Sequence, residues 1–290
     1  MTPPTRWLEI AVPAHAEAVE AVSEILSRVG YNGIAVEVPL ERGRGADHTV
    51  KAYLVEDADA FAKVSDVRDA LGHLQAFGLG PIGELTATRV EDKDWLESWK
   101  AEFVPIRIGA FLVRPTWSEP TSGEAVELVL DPGMAFGTGL HPTTRQCLEA
   151  LSTLPLEGRS VLDVGTGSGI LAIAAAKRGA APVVAVDTDT LAVDAARENA
   201  MRNGVAIPVA EGSAADVPGR FDIVIANIVS PVLQRIAPHL AARLSGGGTL
   251  LVAGISAPAE AATRQAFAHV RLVALDRNER DDWVALALRR

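Results

Sequence analysis

Apolar and polar positions along the first ninety residues change repeatedly between a two-residue and a helical period. Alternating runs bounded by glycine, proline and charged residues are typical of short strands, whereas apolar residues three and four apart indicate helices. These patterns predict strands over 7–12, 34–38, 50–55 and 84–90 and helices over 16–29 and 60–77. This order of elements is that of a ferredoxin-like α+β sandwich, which we predict for residues 1–90.

From residue 106 onward, apolar strand runs alternate regularly with helical patterns. The predicted strands are 106–114, 126–130, 161–164, 183–186, 205–210, 221–226, 249–253, 271–275 and 283–288, and the predicted helices are 143–154, 170–178, 191–201, 231–244 and 257–268. Several runs are almost wholly Val, Ile and Leu, which favours a mostly parallel sheet covered by helices on both faces. The first two strands are expected to form a hairpin, and the last two to pair antiparallel at one edge. We therefore predict an α/β domain over 106–290.

Between these domains, Trp95, Trp99 and Phe103 recur at four-residue spacing, and Pro105 ends the pattern. Residues four apart lie on one face of a helix. We interpret residues 91–105 as a linker helix whose aromatic face packs between the domains.

The chain carries 27 Lys and Arg against 37 Asp and Glu, a net charge of −10, and residues 1–90 carry 8 against 13. An acidic protein has little nonspecific attraction to nucleic acid and favours a basic protein partner. Ferredoxin-like modules that bind RNA present stacking aromatics on a basic sheet, and the predicted strands offer only Trp7 and Tyr53. No direct contact with nucleic acid is expected.

The apolar runs, the first residues and the cysteine count bear on cellular location and on disulfide bonds. No apolar run approaches the ~18 residues that cross a membrane, and the first residues lack a signal-peptide pattern, so we expect a cytoplasmic protein. We also expect a monomer. Cys147 is the single cysteine, which excludes an internal disulfide. We interpret it as a small buried apolar side chain.

Directly after the apolar run that ends at Val164, the sequence Gly165-Thr-Gly-Ser-Gly169 places glycine at every second position. Glycine permits positive φ angles and lets a ligand approach bare backbone at the carboxyl end of a parallel strand. A phosphate-binding P-loop is excluded because its Lys-Ser/Thr ending is absent. A dinucleotide fingerprint would need glycine where Ile170 stands, and a nucleophile elbow would need it where Thr166 stands. A tight strand-to-helix turn without a ligand is the remaining alternative.

The next predicted strand ends at Asp187, twenty-two residues after Gly165. An acid at this position can accept both hydroxyls of a ribose, whereas Asp189 is placed to cap the next helix. Together with the Val-Leu-Asp run that ends in Asp163, the pattern resembles the S-adenosylmethionine-dependent methyltransferases of the seven-stranded Rossmann-like class. The resemblance implies that the loop faces the methionine and adenosine parts of the cofactor. Asp163 would support the loop or the methionine amine.

A second glycine-rich stretch, Asp131-Pro-Gly-Met-Ala-Phe-Gly-Thr-Gly-Leu-His-Pro-Thr-Thr144, precedes a predicted helix. Long ordered loops are usually functional, and Thr143 and Thr144 stand where helix caps belong. Further matching stretches lie at 94–106, at the glycine loop, at 227–229 and at the closing 282–286. On these residues the sequence resembles the ribosomal protein L11 methyltransferase family, which methylates lysines of a large-subunit ribosomal protein.

The family resemblance implies a division of labour between the domains. A ferredoxin-like domain would recognise the basic ribosomal protein, and a seven-stranded Rossmann-like domain would bind S-adenosylmethionine. The implied cofactor contacts are Thr144, Gly165, Gly167, Asp187 and Asn227. His141 is expected to organise its loop by hydrogen bonding, and no metal is expected because no second His or Cys stands at ligand spacing.

Asn227 ends a predicted strand at the same sheet edge as Gly165 and Asp187. Methyltransferases of planar nitrogens carry Asn-Pro-Pro-aromatic here, whereas this chain has Asn227-Ile-Val-Ser230, which disfavours a flipped base or a planar amide. In-line methyl transfer needs alignment above all, and a desolvated pocket lowers the pKa of a lysine amine. We therefore assign Asn227 an orienting role and no general base.

The resemblance implies methyl transfer from S-adenosylmethionine to amino groups, chiefly those of lysines, of ribosomal protein L11. Three alternatives stay open. The protein could methylate a lysine of a different protein, or RNA held by the ferredoxin-like domain, or it could be a nicotinamide dehydrogenase, which Ile170 disfavours.

Overall fold

The computed structural model describes residues 7–15, 18–27, 29–30, 34–37, 48–76, 81–90, 104–120, 123, 125–130 and 141–290. The chain divides into two compact units, Met1–Phe103 and Val104–Arg290. Most of the predicted linker helix, 91–103, and the part of the second glycine-rich stretch at 131–140 lie outside the described residues. No helix in the described ranges is long and apolar enough to cross a membrane.

The first unit contains the six elements in the predicted order. They are β1 (Trp7–Ala14), α1 (Val19–Ser27), β2 (Ile34–Glu37), β3 (His48–Val55), α2 (Ala60–Ala76) and β4 (Thr86–Val90). The strands form one antiparallel sheet in the order β2-β3-β1-β4. Alternate residues of β1, among them Ile10 and Val12, are buried in one core with Val22 of α1 and Val64 of α2. The two-residue period of β1 therefore turns one face of this sheet toward both helices.

The second unit is an α/β domain. Its strands are β5 (Ile106–Ile108), β6 (Phe111–Pro115), β7 (Val126–Leu130), β8 (Val161–Val164), β9 (Val183–Asp187), β10 (Val209–Glu211), β11 (Phe221–Asn227), β12 (Leu244–Ser256), β13 (Val273–Arg280) and β14 (Trp283–Arg289). Its helices are α3 (Pro142–Thr153), α4 (Ile170–Lys177), α5 (Thr190–Arg202), α6 (Ser230–Arg243) and α7 (Glu260–His269).

Seven of these strands form a mixed sheet in the order β10-β9-β8-β11-β12-β14-β13. The first five are parallel, and β14 runs antiparallel to both of its neighbours. The predicted parallel sheet with an antiparallel pair at one edge is confirmed. Because the chain leaves β8 toward β9 and later returns to β11 on the other side, the order reverses between β8 and β11. Ligands of such sheets bind at the carboxyl ends of the strands beside this reversal.

Helices cover both faces of the mixed sheet. One apolar core contains Leu148 of α3, Ile173 of α4 and Val193 of α5, and the other contains Leu240 of α6 and Phe267 of α7. The central strands are buried on both sides, which explains why they read as continuous apolar runs. Cys147 is fully buried in the first core, as predicted.

Two sequence predictions for this unit are wrong. Residues 106–114 and 126–130 do not form a hairpin: β5 and β6 form the hairpin, with Gly109 at φ 56° in the turn, and β7 pairs parallel with β6. A two-residue turn inside an apolar run is easily overlooked because it adds little polar sequence. The predicted strand at 205–210 begins only at Val209, since Pro208 has no N–H group for the ladder.

Candidate functional site

The glycine loop after β8 adopts a backbone that demands glycine. Gly165, Gly167 and Gly169 have φ angles of 68°, 55° and 81°. Residues with a Cβ rarely occupy this left-handed region. The alternation of glycine in the sequence therefore follows first from backbone conformation.

Two of the three glycines also make room for neighbouring protein groups. A Cβ on Gly165 would lie 2.8 Å from the side chain of Ile228, and one on Gly169 would lie 3.1 Å from the Cβ of Ala196 in α5. Gly169 thus allows close packing of α4 and α5. The loop is both a tight strand-to-helix turn and the edge of a cavity, so the two sequence interpretations are compatible.

The N–H groups of this loop are already used within the protein. Those of Gly165 and Thr166 donate to the carbonyl of Val186, at 2.9 and 3.1 Å. The N–H of Gly167 donates to Oδ2 of Asp187 at 2.8 Å. A loop that binds phosphate must direct such groups at the ligand. This arrangement disfavours a nucleotide held by its phosphates.

Asp163 lies beneath the loop and is completely buried. Its Oδ2 accepts hydrogen bonds from the hydroxyl of Thr166 at 2.7 Å and from the N–H of Ala172 at 3.2 Å. Its Oδ1 is buried with no hydrogen-bond partner among the described residues. Burial raises the pKa of this carboxyl to about 6, against the two hydrogen bonds, and the charge of Asp187 raises it further. Asp163 therefore holds the loop to the start of α4.

Asp187 closes β9 beside the loop. While Oδ2 accepts from Gly167, Oδ1 accepts from the N–H of Asp189 at 3.1 Å. Asp189 caps α5 by accepting from the N–H of Leu191 at 2.9 Å, as its position in the sequence suggested. Each carboxylate oxygen of Asp187 retains a second lone pair for another donor.

His141 caps helix α3, which corrects the prediction that Thr143 and Thr144 are its caps. The Nδ1 atom of His141 accepts from the N–H of Thr143, at 3.4 Å, and lies 2.8 Å from its hydroxyl oxygen. Pro142 takes the first helical position, where its fixed φ fits, so both threonines fall within the first turn. Burial lowers the pKa of His141 to about 4, which leaves the ring neutral at pH 7.

The last hairpin of the sheet is fastened to α3. Nε2 of Gln146 donates to the carbonyls of Asn278 and Trp283, at 3.0 and 2.9 Å. The indole of Trp283 meets the ring of His141 edge-on, with 5.1 Å between centroids. The sequence analysis noted Trp283 within a family stretch but missed Gln146, which stands in an amphipathic helix without a distinctive neighbour.

An open cavity lies at the carboxyl edge of β8 and β11. The structure brings four of the five predicted cofactor residues to this cavity, and Asp187 is connected to it through Gly167. Among the described residues, the lining comprises Thr144, Gly165, Thr166, Gly167, Ile170, Leu171 and Asn227. The sequence analysis used Thr166 and Ile170 only to exclude other motifs. It gave no reason to select Leu171, because the residues around it in α4 are also apolar.

Asn227 reaches across the cavity to α3. Its Nδ2 donates to the hydroxyl oxygen of Thr144 at 3.4 Å. The side-chain oxygen of Asn227 is then left to accept from another donor. None of the described lining residues has an ionisable side chain. Among the described residues, no group of three or more His, Cys, Asp or Glu is placed to hold a metal ion.

Comparison with known proteins assigns the family. A family model described as ribosomal protein L11 methyltransferase (PrmA) matches residues 6–290. The chain belongs to this family. Relatives named ribosomal protein L11 methyltransferase from Chloroflexus aurantiacus and Geobacter sulfurreducens are each 41% identical, covering 99% and 98% of this chain and 98% of each relative. A crystal structure titled ribosomal protein L11 methylase, from Lactobacillus delbrueckii subsp. bulgaricus, matches 64% of this chain and 98% of its own at 34% identity and a TM-score of 0.61.

Family membership confirms the resemblance inferred from the glycine loop and from the stretches around His141, Asn227 and Trp283. It also agrees with the seven-stranded α/β architecture of the second unit. A nicotinamide dehydrogenase is thereby set aside.

Proposed function

We propose that this protein transfers methyl groups from S-adenosylmethionine to amino groups, chiefly those of lysines, of ribosomal protein L11. The observation that carries the proposal is the family match over 6–290, combined with a site in which Asn227 stands opposite the glycine loop. The cofactor and the substrate follow from that family, and the roles of individual residues follow from the site.

The residues present fit S-adenosylmethionine. This cofactor has no phosphate, and the N–H groups of the loop are engaged by Val186 and Asp187. Gly165 and Gly167 would lie against its methionine part, and Asp187 would accept hydrogen bonds from its ribose hydroxyls. Ile170 and Leu171 give the cavity an apolar wall. When bound, the cofactor supplies an electrophilic methyl group on a sulfonium.

Asn227 would orient the acceptor. Its amide nitrogen is held by Thr144, so its oxygen is the atom available to an amine N–H. The lining residues that the structure describes carry no charge, and an amine that leaves water for such surroundings has a lowered pKa. The neutral amine then has the lone pair that displacement at the methyl carbon requires. Alignment is the main contribution of the protein to such a reaction.

His141 would have a structural role and would not transfer protons. Its Nδ1 is occupied at the start of α3, and its lowered pKa keeps it neutral near pH 7. By fixing the first turn of α3, it would fix Thr144 and therefore Asn227.

The first unit would recognise the substrate. We assign it a ferredoxin-like sandwich, which its antiparallel strand order β2-β3-β1-β4 and the packing of α1 and α2 into one core support. The acidic balance of residues 1–90 suits a basic ribosomal protein. The protein would act as a monomer, which size-exclusion chromatography with light scattering would check.

The test is incubation of the purified protein with S-adenosylmethionine and recombinant L11, followed by intact-mass and peptide mass spectrometry. We expect methyl groups on lysines of L11, and calorimetric binding of both S-adenosylmethionine and S-adenosylhomocysteine. Parallel reactions with other ribosomal proteins and with ribosomal RNA separate the alternatives. Methylation of RNA, or of a different protein with L11 unmodified, would contradict the proposal.

A further inference from the structure

Strand β12 is irregular where its neighbour β11 ends. Val252 pairs with Leu286 and Ile255 pairs with Val284, so that two residues of β12 stand opposite Ala285 alone. One of the two, Gly254, has a φ angle of 83°. An extra residue with a left-handed glycine defines a β-bulge, a feature that often lies beside active sites and redirects the backbone.

The bulge lies against the residue that follows Asn227. Asn227 is the register partner of Ala253, and the N–H of Ile228 donates to the carbonyl of Ala253 at 3.1 Å. A Cβ on Gly254 would lie 2.5 Å from the carbonyl oxygen and 2.8 Å from the carbonyl carbon of Ile228. These are backbone atoms, so no side-chain rotation could relieve the contact.

The side chain of Ile228 is confined from another direction. Its Cγ1 and Cδ1 atoms lie 2.8 Å from the place where a Cβ on Gly165 would be. Ile228 is therefore held between the glycine loop after β8 and the bulge of β12. Since Asn227 precedes Ile228 directly, its backbone cannot shift unless one of these contacts yields.

We propose that Gly254 is a positioning residue for methyl transfer: by admitting the backbone of Ile228 at the β12 bulge, it sets the place of Asn227 at the acceptor side of the cavity. The proposal rests on the proposed function, because it assigns Asn227 the task of orienting the acceptor amine. Displacements of about 1 Å are enough to lower turnover on the order of 100-fold in reactions that depend on alignment.

The test compares Gly254→Ala with Gly247→Ala. Gly247 lies in the same strand with φ at 77°, and a Cβ there would meet no atom within 4 Å. Both variants place alanine at a similar positive φ angle, and only Gly254→Ala collides with Ile228. With L11 as substrate, we expect kcat to fall about 100-fold in Gly254→Ala and to stay within about two-fold in Gly247→Ala. Binding of S-adenosylhomocysteine should stay within about three-fold of wild type in both.

The outcomes separate the two proposals. If the two variants have equal turnover, the proposed role of Gly254 is overturned but the proposed function is not. The same holds if Gly254→Ala loses as much cofactor affinity as turnover. A wild-type protein that leaves L11 unmodified overturns the proposed function and this inference with it.

If Gly254→Ala does not fold, hydrogen exchange of the wild-type protein tests whether the bulge holds Ile228 in place. The Ile228 amide should then exchange as slowly as amides within β11, because the bulge holds it. Exchange as fast as that of exposed loops would show that the segment is not fixed.

Discussion

Asn227 and Thr144 are joined by a side-chain hydrogen bond of 3.4 Å between Nδ2 and the threonine hydroxyl, although 83 positions separate them in the chain. Asn227 ends strand β11, and Thr144 lies in the first turn of α3. The bond joins the two elements that flank the cavity and leaves the amide oxygen for a ligand. It is the contact on which the proposed orientation of the acceptor amine depends.

Replacement of Asn227 should affect turnover more than cofactor binding. In Asn227→Ala, the acceptor loses its orienting oxygen, and we expect kcat for L11 methylation to fall about 10- to 100-fold. A matched control is Gln234→Ala, which removes an amide-to-hydroxyl bond of 3.1 Å between α6 and α7. Steady-state kinetics and calorimetry would check both. An Asn227→Ala variant with full turnover and full cofactor affinity would remove this residue from the site.

Replacement of Asp187 should weaken binding of the cofactor. Asp187→Asn keeps one oxygen for the N–H of Gly167 but removes the charge that strengthens hydrogen bonds from ribose hydroxyls. We expect the Kd for S-adenosylhomocysteine to rise at least about 10-fold. Asp189→Asn is the control, since asparagine caps helices as well as aspartate does. A rise in Kd in Asp189→Asn but not in Asp187→Asn would show that Asp189, and not Asp187, binds the ribose.

Replacement of Gly165 tests the loop itself. Gly165→Ala and Gly204→Ala place alanine at φ angles of 68° and 67°, which costs about 1 kcal/mol in each case. Only the first brings a Cβ against Ile228, because nothing lies within 4 Å of a Cβ on Gly204. Both variants should lose a few degrees of Tm, and only Gly165→Ala should lose cofactor affinity.

A second substitution would strengthen the test of the loop. Ile228→Ala removes both of the atoms that a Cβ on Gly165 would meet. In the double variant, cofactor affinity should recover in part. No recovery would mean that the positive φ alone, and not the contact with Ile228, makes glycine necessary.

The predictable part of the fold is the part in which local pattern and burial agree. Strand β8 was predicted with its observed bounds, Val161–Val164, because a fully buried parallel strand is almost wholly apolar, and only Asp163 interrupts this one. The polar residues 276–280, four of which are charged, were not predicted as strand, although β13 extends to Arg280. They form an exposed edge whose extended shape comes from pairing with β14, and a tertiary partner leaves no trace in local composition.

The candidate site, like the fold, could be predicted only where the local sequence carries a signal. Glycine repeats and an acid at a strand end have their own sequence signal, so Gly165, Gly167 and Asp187 could be selected. The contact of Gln146 with the last hairpin and the approach of Gly254 to Ile228 depend on residues far apart in sequence. One sequence without its fold gives no indication of such pairs.

Asp163 should make stability depend on pH in a defined direction. Its pKa is raised from 3.8 to about 6, chiefly by burial, so the folded protein binds this proton more tightly than the unfolded chain. Stability that rests on the protonated form is fully present below pH 4 and is lost as pH rises to about 6. Asp163→Asn keeps an oxygen for Thr166 and Ala172 but cannot ionise. Its Tm, measured by calorimetry, should therefore rise relative to wild type between pH 4 and about 6.5, corresponding to about 2–3 kcal/mol at most, and the difference should then stay constant. A difference that is independent of pH, or that shrinks as pH rises, would show that the carboxylate is stabilised in its charged form by a partner of Oδ1.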